Sequence, residues 1–435
     1  MNIGIVKNRI AAISPDPFSA VMRINCDGKK VIPGFIDVHS HTDEGCMNPS
    51  FDSKISQGIV AEISGNCGGS PFPFPNTHSQ AYRKRLKIRE DNWYTERTWQ
   101  TYVDYKQVVN EEKSITNQFT LVGWWTLWDA LDTDYKGIDD MLALLNACLE
   151  QGCPGLSINQ GTLSWSQFSF DDKLKIMSLL YRYDAILTVH LRDYSRDFIP
   201  SLKEIMNLWG EYPIRIELSH MKFLNPDYHT NLDYLYRCLD RGEGLIHFDL
   251  YPYTSICTNL KNIVTRYSLN DIEKVRLLNN DRSLNISIQE ERAILLRLSR
   301  KEPYQLVEAD GIPPSCVKEL IRYEGCFIGT DYMSCKVKDT NRCHHPRACF
   351  TFQKAFRLLR ELGVSPETII KRFSMIPAAF FRIHGKRKLS AGDFADICVV
   401  EYDKELLKIS MVILNGKISY KAAESFVVKN GIAID

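Results

Sequence analysis

Eight short apolar runs recur along this chain, each ending in polar residues and separated from the next by a longer, more polar segment. They fall at 31–41 (VIPGFIDVHSH), 59–67 (IVAEISGNC), 118–125 (QFTLVGWW), 152–161 (GCPGLSINQG), 186–193 (ILTVHLRD), 214–222 (IRIELSHMK), 245–253 (LIHFDLYPY) and 326–332 (CFIGTDY). Runs of this length suit strands buried on both faces and are far too short to cross a membrane as helices. Helical periodicity lies between them at 137–150, 170–182, 199–209 and 230–241. Strand and helix in eightfold alternation predict an α/β chain with a TIM-like (β/α)8 barrel.

In such a barrel the C-terminal strand ends surround one site, so residues far apart in sequence converge there. Those ends hold His39, His41, Cys67, His190, His220, Tyr251 and Asp331. His39 and His41 are two apart at the end of the first run, so in extended chain they share a face. Cys67, His190 and His220 together would supply the three thiolate and imidazole ligands of a catalytic zinc site, with His39, His41 and Asp331 nearby. Taken one at a time each has an ordinary structural reading: a small residue in a glycine-rich loop, a hydrogen-bonded histidine at a strand end. Asp331 itself has three readings, as metal ligand, as general base for water, or as the cap of a loop. A second layer of donors, Lys222, Arg192, Tyr251, Tyr253 and Arg347, would suit a substrate carrying a carboxylate, or would form rim salt bridges.

The 54 basic and 53 acidic side chains nearly cancel, so no global field favours nucleic acid or an anionic membrane. The basic run 83–89 reads as the solvated face of a helix. Thirteen cysteines are scattered without a secretory leader, which places free thiols in a reducing cytoplasm. Short strands with turn signals at Lys7-Asn8 and Asp27-Gly28 open the chain, and similar strands with turns at Gly392-Asp393 and Asn415-Gly416 close it. The two ends, 1–32 and 386–435, are expected to form one small β-domain beside a barrel at 33–385. The stretch 261–325 is too long for a simple connection and is expected to be a helical insertion covering the site, with an amphipathic helix at 287–300.

At this point the residues match a family. The motifs PGFIDVHSHTD (33–43), SQGIVAEISGNCG (56–68), VHLRD (189–193), LSHMK (218–222), DLYPY (249–253), GTD (329–331), HPR (345–347) and LSAGDFADICVVE (389–401) resemble the D-aminoacylases, or N-acyl-D-amino-acid deacylases, of the amidohydrolase superfamily. The resemblance implies a barrel with a small β-sandwich and a zinc ion held tightly by Cys67, His190 and His220. It implies that His39 and His41 belong to a second metal position that is weak or empty. Asp331 matches the catalytic acid/base, and Lys222, Tyr251 and Arg347 match positions around the substrate carboxylate. The substrate class implied is a small N-acyl-D-amino acid or a D-residue-containing peptide-like metabolite.

Three departures stand out. Gly123 is followed by Trp124 and Trp125 where the family tends to have a histidine and a small residue, so the indoles would floor a bulky acyl pocket or fill barrel volume. Tyr194 replaces an expected acidic residue, and Asn159-Gln160 interrupt the usual loop. Other readings are a cyclic-amide or dipeptide hydrolase of the same superfamily, a catalytically silent ligand-binding barrel, and a thiol hydrolase built on Cys67. Self-association is left open.

Overall fold

The computed structural model describes residues 1–73, 99–131, 137–224, 227–278, 282–339, 345–385, 388–403, 406–424 and 426–434. Among the described residues, all eight apolar runs contain parallel strands of one ring. These are β1 (Phe35–Asp37), β2 (Ile59–Ser64), β3 (Asn117–Thr120, resuming as Val122–Gly123), β4 (Gly155–Asn159), β5 (Ile186–His190), β6 (Ile216–Leu218), β7 (Ile246–Leu250) and β8 (Cys326–Ile328). Neighbours pair in chain order, with Phe35 opposite Ile59, Ala61 opposite Asn117, Val122 opposite Leu156 and Phe248 opposite Cys326. The ring shuts between its first and last strands: Val38 N donates to Ile328 O at 3.4 Å and His41 N to Tyr332 O at 3.2 Å. The strands read as near-continuous apolar runs because both faces are covered; every residue of β2 is buried.

Two layers of core follow. Ile36, Val38, Ala61, Ile63, Phe119 and Phe327 form a cluster with Phe380 and Phe381 at the end of the helix Met375–Phe380. A larger cluster joins the outer faces of the strands to surrounding helices. Helix starts are set locally: Ser169 caps Phe170–Arg182 by accepting from Asp172 N, and Ser365 caps Pro366–Phe373 by accepting from Thr368 N.

Both ends of the chain enter one antiparallel sheet, in which Lys30–Pro33 pairs with Ile397–Tyr402, followed by Leu407–Leu414, Lys417–Lys421 and Phe426–Val427. Its two faces alternate as strands require. Ile397 and Ile413 meet the hairpin formed by Asn2–Val6 and Arg9–Ser14, whereas Cys398, Val400, Val412 and Leu414 join the barrel's outer core.

The excursion between β7 and β8 differs from the expected helical insertion. It is built on a four-stranded antiparallel sheet of Ser255–Asn259, Lys274–Leu277, Ser283–Asn285 and Leu306–Asp310, with Leu260–Arg266 and Gln289–Lys301 as its helices. Its strands are only three to five residues long, too short to show a clear two-residue period beside the strong helical pattern of 289–301. The basic run 83–89 lies outside the described residues.

At the break in β3 the chain passes against the glycine that follows β2. Gly65 has φ +75°, and a Cβ there would stand 2.1 Å from Leu121 O, the residue at the break. Gly65→Ala combines that clash with a left-handed backbone, so the expected loss of stability is roughly 2–4 kcal/mol, to be read from urea unfolding monitored by tryptophan fluorescence.

Candidate active site

At the C-terminal mouth of the barrel, three donor atoms from three different strands converge. Cys67 Sγ, just past β2, lies 3.4 Å from His190 Nδ1 at the end of β5 and 3.5 Å from His220 Nε2, just past β6. The two imidazole nitrogens are 2.8 Å apart. A tetrahedral zinc with the usual bond lengths would separate a sulfur from a nitrogen ligand by about 3.5 Å and two nitrogen ligands by about 3.3 Å. The donor set therefore fits that ion in its chemistry and in its sulfur–nitrogen spacing, while the two imidazole nitrogens stand at hydrogen-bond distance and would part slightly to take it. A second group shares Cys67: His39 Nε2 is 3.4 Å from its sulfur, and His39, His41, Cys67 and Asp331 also gather within metal-binding reach.

Asp331 follows β8 and faces this centre from the side. Its carboxylate is 3.2 Å from His41 Nε2, 3.6 Å from His39 Nε2 and 2.9 Å from the Arg347 guanidinium. Burial alone would raise its pKa, yet Arg347, His220 and the hydrogen bond to His41 hold it well below the usual carboxylate range. The Cys67 thiol behaves likewise: burial pushes it up, and the imidazoles of His39, His190 and His220 bring it well down, toward the thiolate a metal requires. Burial and the adjacent Lys222 ammonium push His220 down to about 3, which leaves it a neutral donor.

Three of these residues occupy strained backbone, with φ of 55° at Cys67, 39° at His220 and 47° at Asp331. Such non-glycine conformations cost on the order of 1–3 kcal/mol each and persist only when their surroundings hold them. At Asp331 that hold passes through Lys54, a fully buried side chain that sequence reading overlooked. Its Nζ donates to Asp37 Oδ2 (2.7 Å), Thr330 Oγ1 (2.5 Å) and Tyr332 O (2.9 Å), with Ser40 Oγ at 3.2 Å and Glu62 Oε2 at 3.5 Å. Thr330 and Tyr332 flank Asp331, and Ser40 stands between His39 and His41. Asp37 Oδ1 also accepts from His39 N and Thr330 N, at 3.2 and 2.9 Å. Lys54 therefore joins the two chain segments that place Asp331 opposite the histidines. Nothing periodic marks it, because its partners come from 8 to 278 residues away. Asp249 was likewise unassigned, although it lies at the end of β7 inside the DLYPY motif; its Oδ2 meets His39 Nδ1 at 3.0 Å, orienting that ring, and accepts from the backbone N–H of His220 at 2.9 Å, holding that residue's main chain.

A cavity of about 780 Å³ opens over the centre, lined by Cys67, His41, His190, His220, Lys222, Tyr251, Asp331 and Arg347 among others. Lys222 Nζ bonds His220 Nδ1 at 2.8 Å and lies 4.3 Å above the Tyr194 ring. Burial lowers the Lys222 pKa to about 8. Arg347 sits 4.5 Å over the Tyr251 ring. Tyr194 has a structural role at its unusual position: its hydroxyl accepts from Leu191 N and donates to Ser219 O, both at 2.9 Å, tying the ends of β5 and β6.

Two expected site residues lie elsewhere. Arg192 turns away from the metal cluster and pairs with Glu204 at 2.8 Å, because Gln160 Oε1 accepts from its backbone N–H at 3.0 Å and directs the loop outward. Trp124 is fully buried and donates to Ser164 O at 2.6 Å. It opens the helix Trp124–Ala130, where neighbours point about 100° apart, so Trp125 rather than Trp124 reaches the cavity. Trp128, three residues on and unnoticed in the sequence, lines the cavity with Trp125.

No family model matches the chain. It is 24% identical over 429 residues to a D-aminoacylase of Alcaligenes xylosoxydans xylosoxydans, spanning 92% of this chain and 84% of that protein. An N-acyl-D-glutamate deacylase of the same organism is also 24% identical over 429 residues, across 92% of this chain and 83% of that one. Among solved structures, a D-aminoacylase that defines a novel subset of amidohydrolases superposes with a TM-score of 0.84 at 22% identity, covering 100% of this chain and 95% of the other. The N-acyl-D-glutamate deacylase of Bordetella bronchiseptica, complexed with zinc and a phosphonate mimic of the tetrahedral intermediate, gives 0.83 at 21% identity, covering 99% and 94%. The structural likeness establishes the barrel fold, and the curated relatives agree with the resemblance carried by the motifs.

Two substitutions follow from this geometry. Lys54→Met strands two buried carboxylates, so unfolding free energy is expected to drop by roughly 3–5 kcal/mol in denaturant titration, with turnover falling further than metal content. Cys67→Ala is expected to leave much less zinc after dialysis than His39→Ala does, measured by inductively coupled plasma mass spectrometry; equal losses would contradict the hierarchy of the two donor groups.

Proposed function

We propose that this chain is a zinc-dependent amidohydrolase that cleaves the linear amide of an N-acyl-D-amino acid, with one tight metal position at Cys67, His190 and His220. The His39 and His41 side of the centre is a weaker second position. The observation that carries the reading is the placement of Asp331: a deprotonated, arginine-paired carboxylate against the open side of a thiolate–imidazole donor set, inside a cavity large enough for a small acylated amino acid. The curated relatives named above act on such substrates, which supplies the D-configuration and the acyl amide.

A zinc ion held there supplies Lewis acidity to the amide carbonyl and the attacking water. The chain's own groups do the rest. Asp331, held in its ionised form, takes a proton from the water and delivers it to the amine nitrogen as the amide bond breaks. Arg347 and His41 keep that carboxylate aimed at the centre. Lys222 and Tyr251 face the cavity as cationic and phenolic donors for the substrate carboxylate, and burial holds the Tyr251 hydroxyl protonated. Asp249 fixes the His39 ring and the His220 backbone from behind.

No helix among the described residues is long and apolar enough to cross a membrane. The described cysteines stand as free thiols, which suits the cytoplasm as the working compartment.

The test is a hydrolysis screen of paired N-acyl-D- and N-acyl-L-amino acids with the zinc-loaded protein. D-substrates are expected to be cleaved, and Asp331→Asn is expected to reduce kcat by roughly 10²- to 10⁴-fold while zinc content is retained. Near-normal turnover in that variant would remove Asp331 from the acid/base role.

A further inference from the structure

The cavity is larger than an acetylated amino acid needs, and its two sides differ in chemistry. Lys222, Tyr251, Asp331 and Arg347 stand past β6, β7 and β8. Across the ring, past β3 and β4, the lining is Trp125, Trp128 and Leu163 with neutral Asn159, Thr162 and Ser164. The described residues that β3 and β4 contribute to this wall carry no charge; the cavity's other two cations, Lys261 and Arg266, come from the excursion between β7 and β8.

A linear N-acyl amino acid carries its carboxylate on one side of the scissile amide and its acyl group on the other. With the carboxylate held past β6–β8 and the carbonyl at the Cys67–His190–His220 centre, the acyl group must extend toward β3 and β4. We propose that Trp125, Trp128 and Leu163 form an acyl-binding subsite that selects a bulky apolar or aromatic acyl group over acetyl. This inference rests on the deacylase reading above and names its substrate class.

The wall is rigid and registered to the reacting centre. Gly68, the residue after Cys67, accepts from Trp125 N at 2.8 Å and from Thr126 N at 3.2 Å, so the cysteine loop itself holds the start of the tryptophan helix. That approach requires the glycine at 123, where a Cβ would stand 2.4 Å from Gly68 O. Behind the wall, Trp124 crosses Trp165 edge-on at 6.1 Å and Phe168 at 5.8 Å, and Phe168 meets the edge of Trp128 at 6.1 Å. A pre-formed aromatic surface binds a flat or branched apolar group with little ordering cost.

The experiment compares kcat/KM for the acetyl and phenylacetyl derivatives of a panel of D-amino acids, using the zinc-loaded protein, Trp128→Ala and Trp128→Phe. The phenylacetyl derivatives are expected to be favoured by roughly tenfold or more. Trp128→Ala is expected to collapse that ratio through KM, and Trp128→Phe to keep most of it. Melting temperature and zinc content, measured on each variant, separate lost selectivity from lost fold. Equal rates for the two acyl groups, or a ratio unchanged in Trp128→Ala, would overturn the subsite and leave the deacylase reading standing. Cleavage of neither derivative would overturn both.

Discussion

A single buried ammonium ties the barrel's closure to its chemistry. Lys54 sits between the carboxylates of Asp37 and Glu62, with no exposure, and reaches Thr330 and Tyr332 on either side of Asp331. The seam between β1 and β8 closes the ring, and each side brings part of the site: His39 and His41 on one, Asp331 on the other. An unpaired charge at this depth would cost several kcal/mol, so the cation and its two anions are effectively obliged to meet. Hydroxyls from Ser40, Thr42 and Thr116 complete the shell around Glu62. The network holds the Asp331 segment without touching its carboxylate.

Above that seam, the electrostatics explain why an acid and its neighbours can share so small a volume. Asp331 stays ionised because Arg347 and the imidazoles of His220, His41 and His39 face it, and Cys67 is brought toward thiolate by the three imidazoles around it. The left-handed backbones of Cys67, His220 and Asp331 turn their side chains inward from strand ends that would otherwise point along the barrel wall. Local strain is tolerated there because glycine loops, the Lys54 knot and Asp249 hold the chain on every side.

Much of the fold was legible in the sequence. Eight apolar runs of strand length, each ending in a polar group, leave a parallel ring as the way to bury both faces of each strand. The donor residues were legible for the same reason: strand ends in a barrel converge, whatever their distance in sequence. The misreadings were of side-chain direction and of short strands. Trp124 and Trp125 are adjacent letters, but the helix that starts there sends one into the core and the other to the cavity. Arg192 adjoins His190 in the motif, yet its loop turns out toward Glu204. The sheet between β7 and β8 was masked by its stronger helix.

The sequence by itself determined the barrel and brought the candidate donor residues to its strand ends, because these depend on periodicity and on residue chemistry there, and its motifs carried the resemblance to the deacylases. Tertiary structure decided which groups act together. Lys54 acquired its place only when β1 met β8. Asp249 came to hold two histidines only when β7 lay beside β6. Trp128 joined Trp125 only when their helix docked on the cysteine loop. Those pairings rest on long-range closure and on the angle at which each side chain leaves its backbone, and neither is written in local spacing.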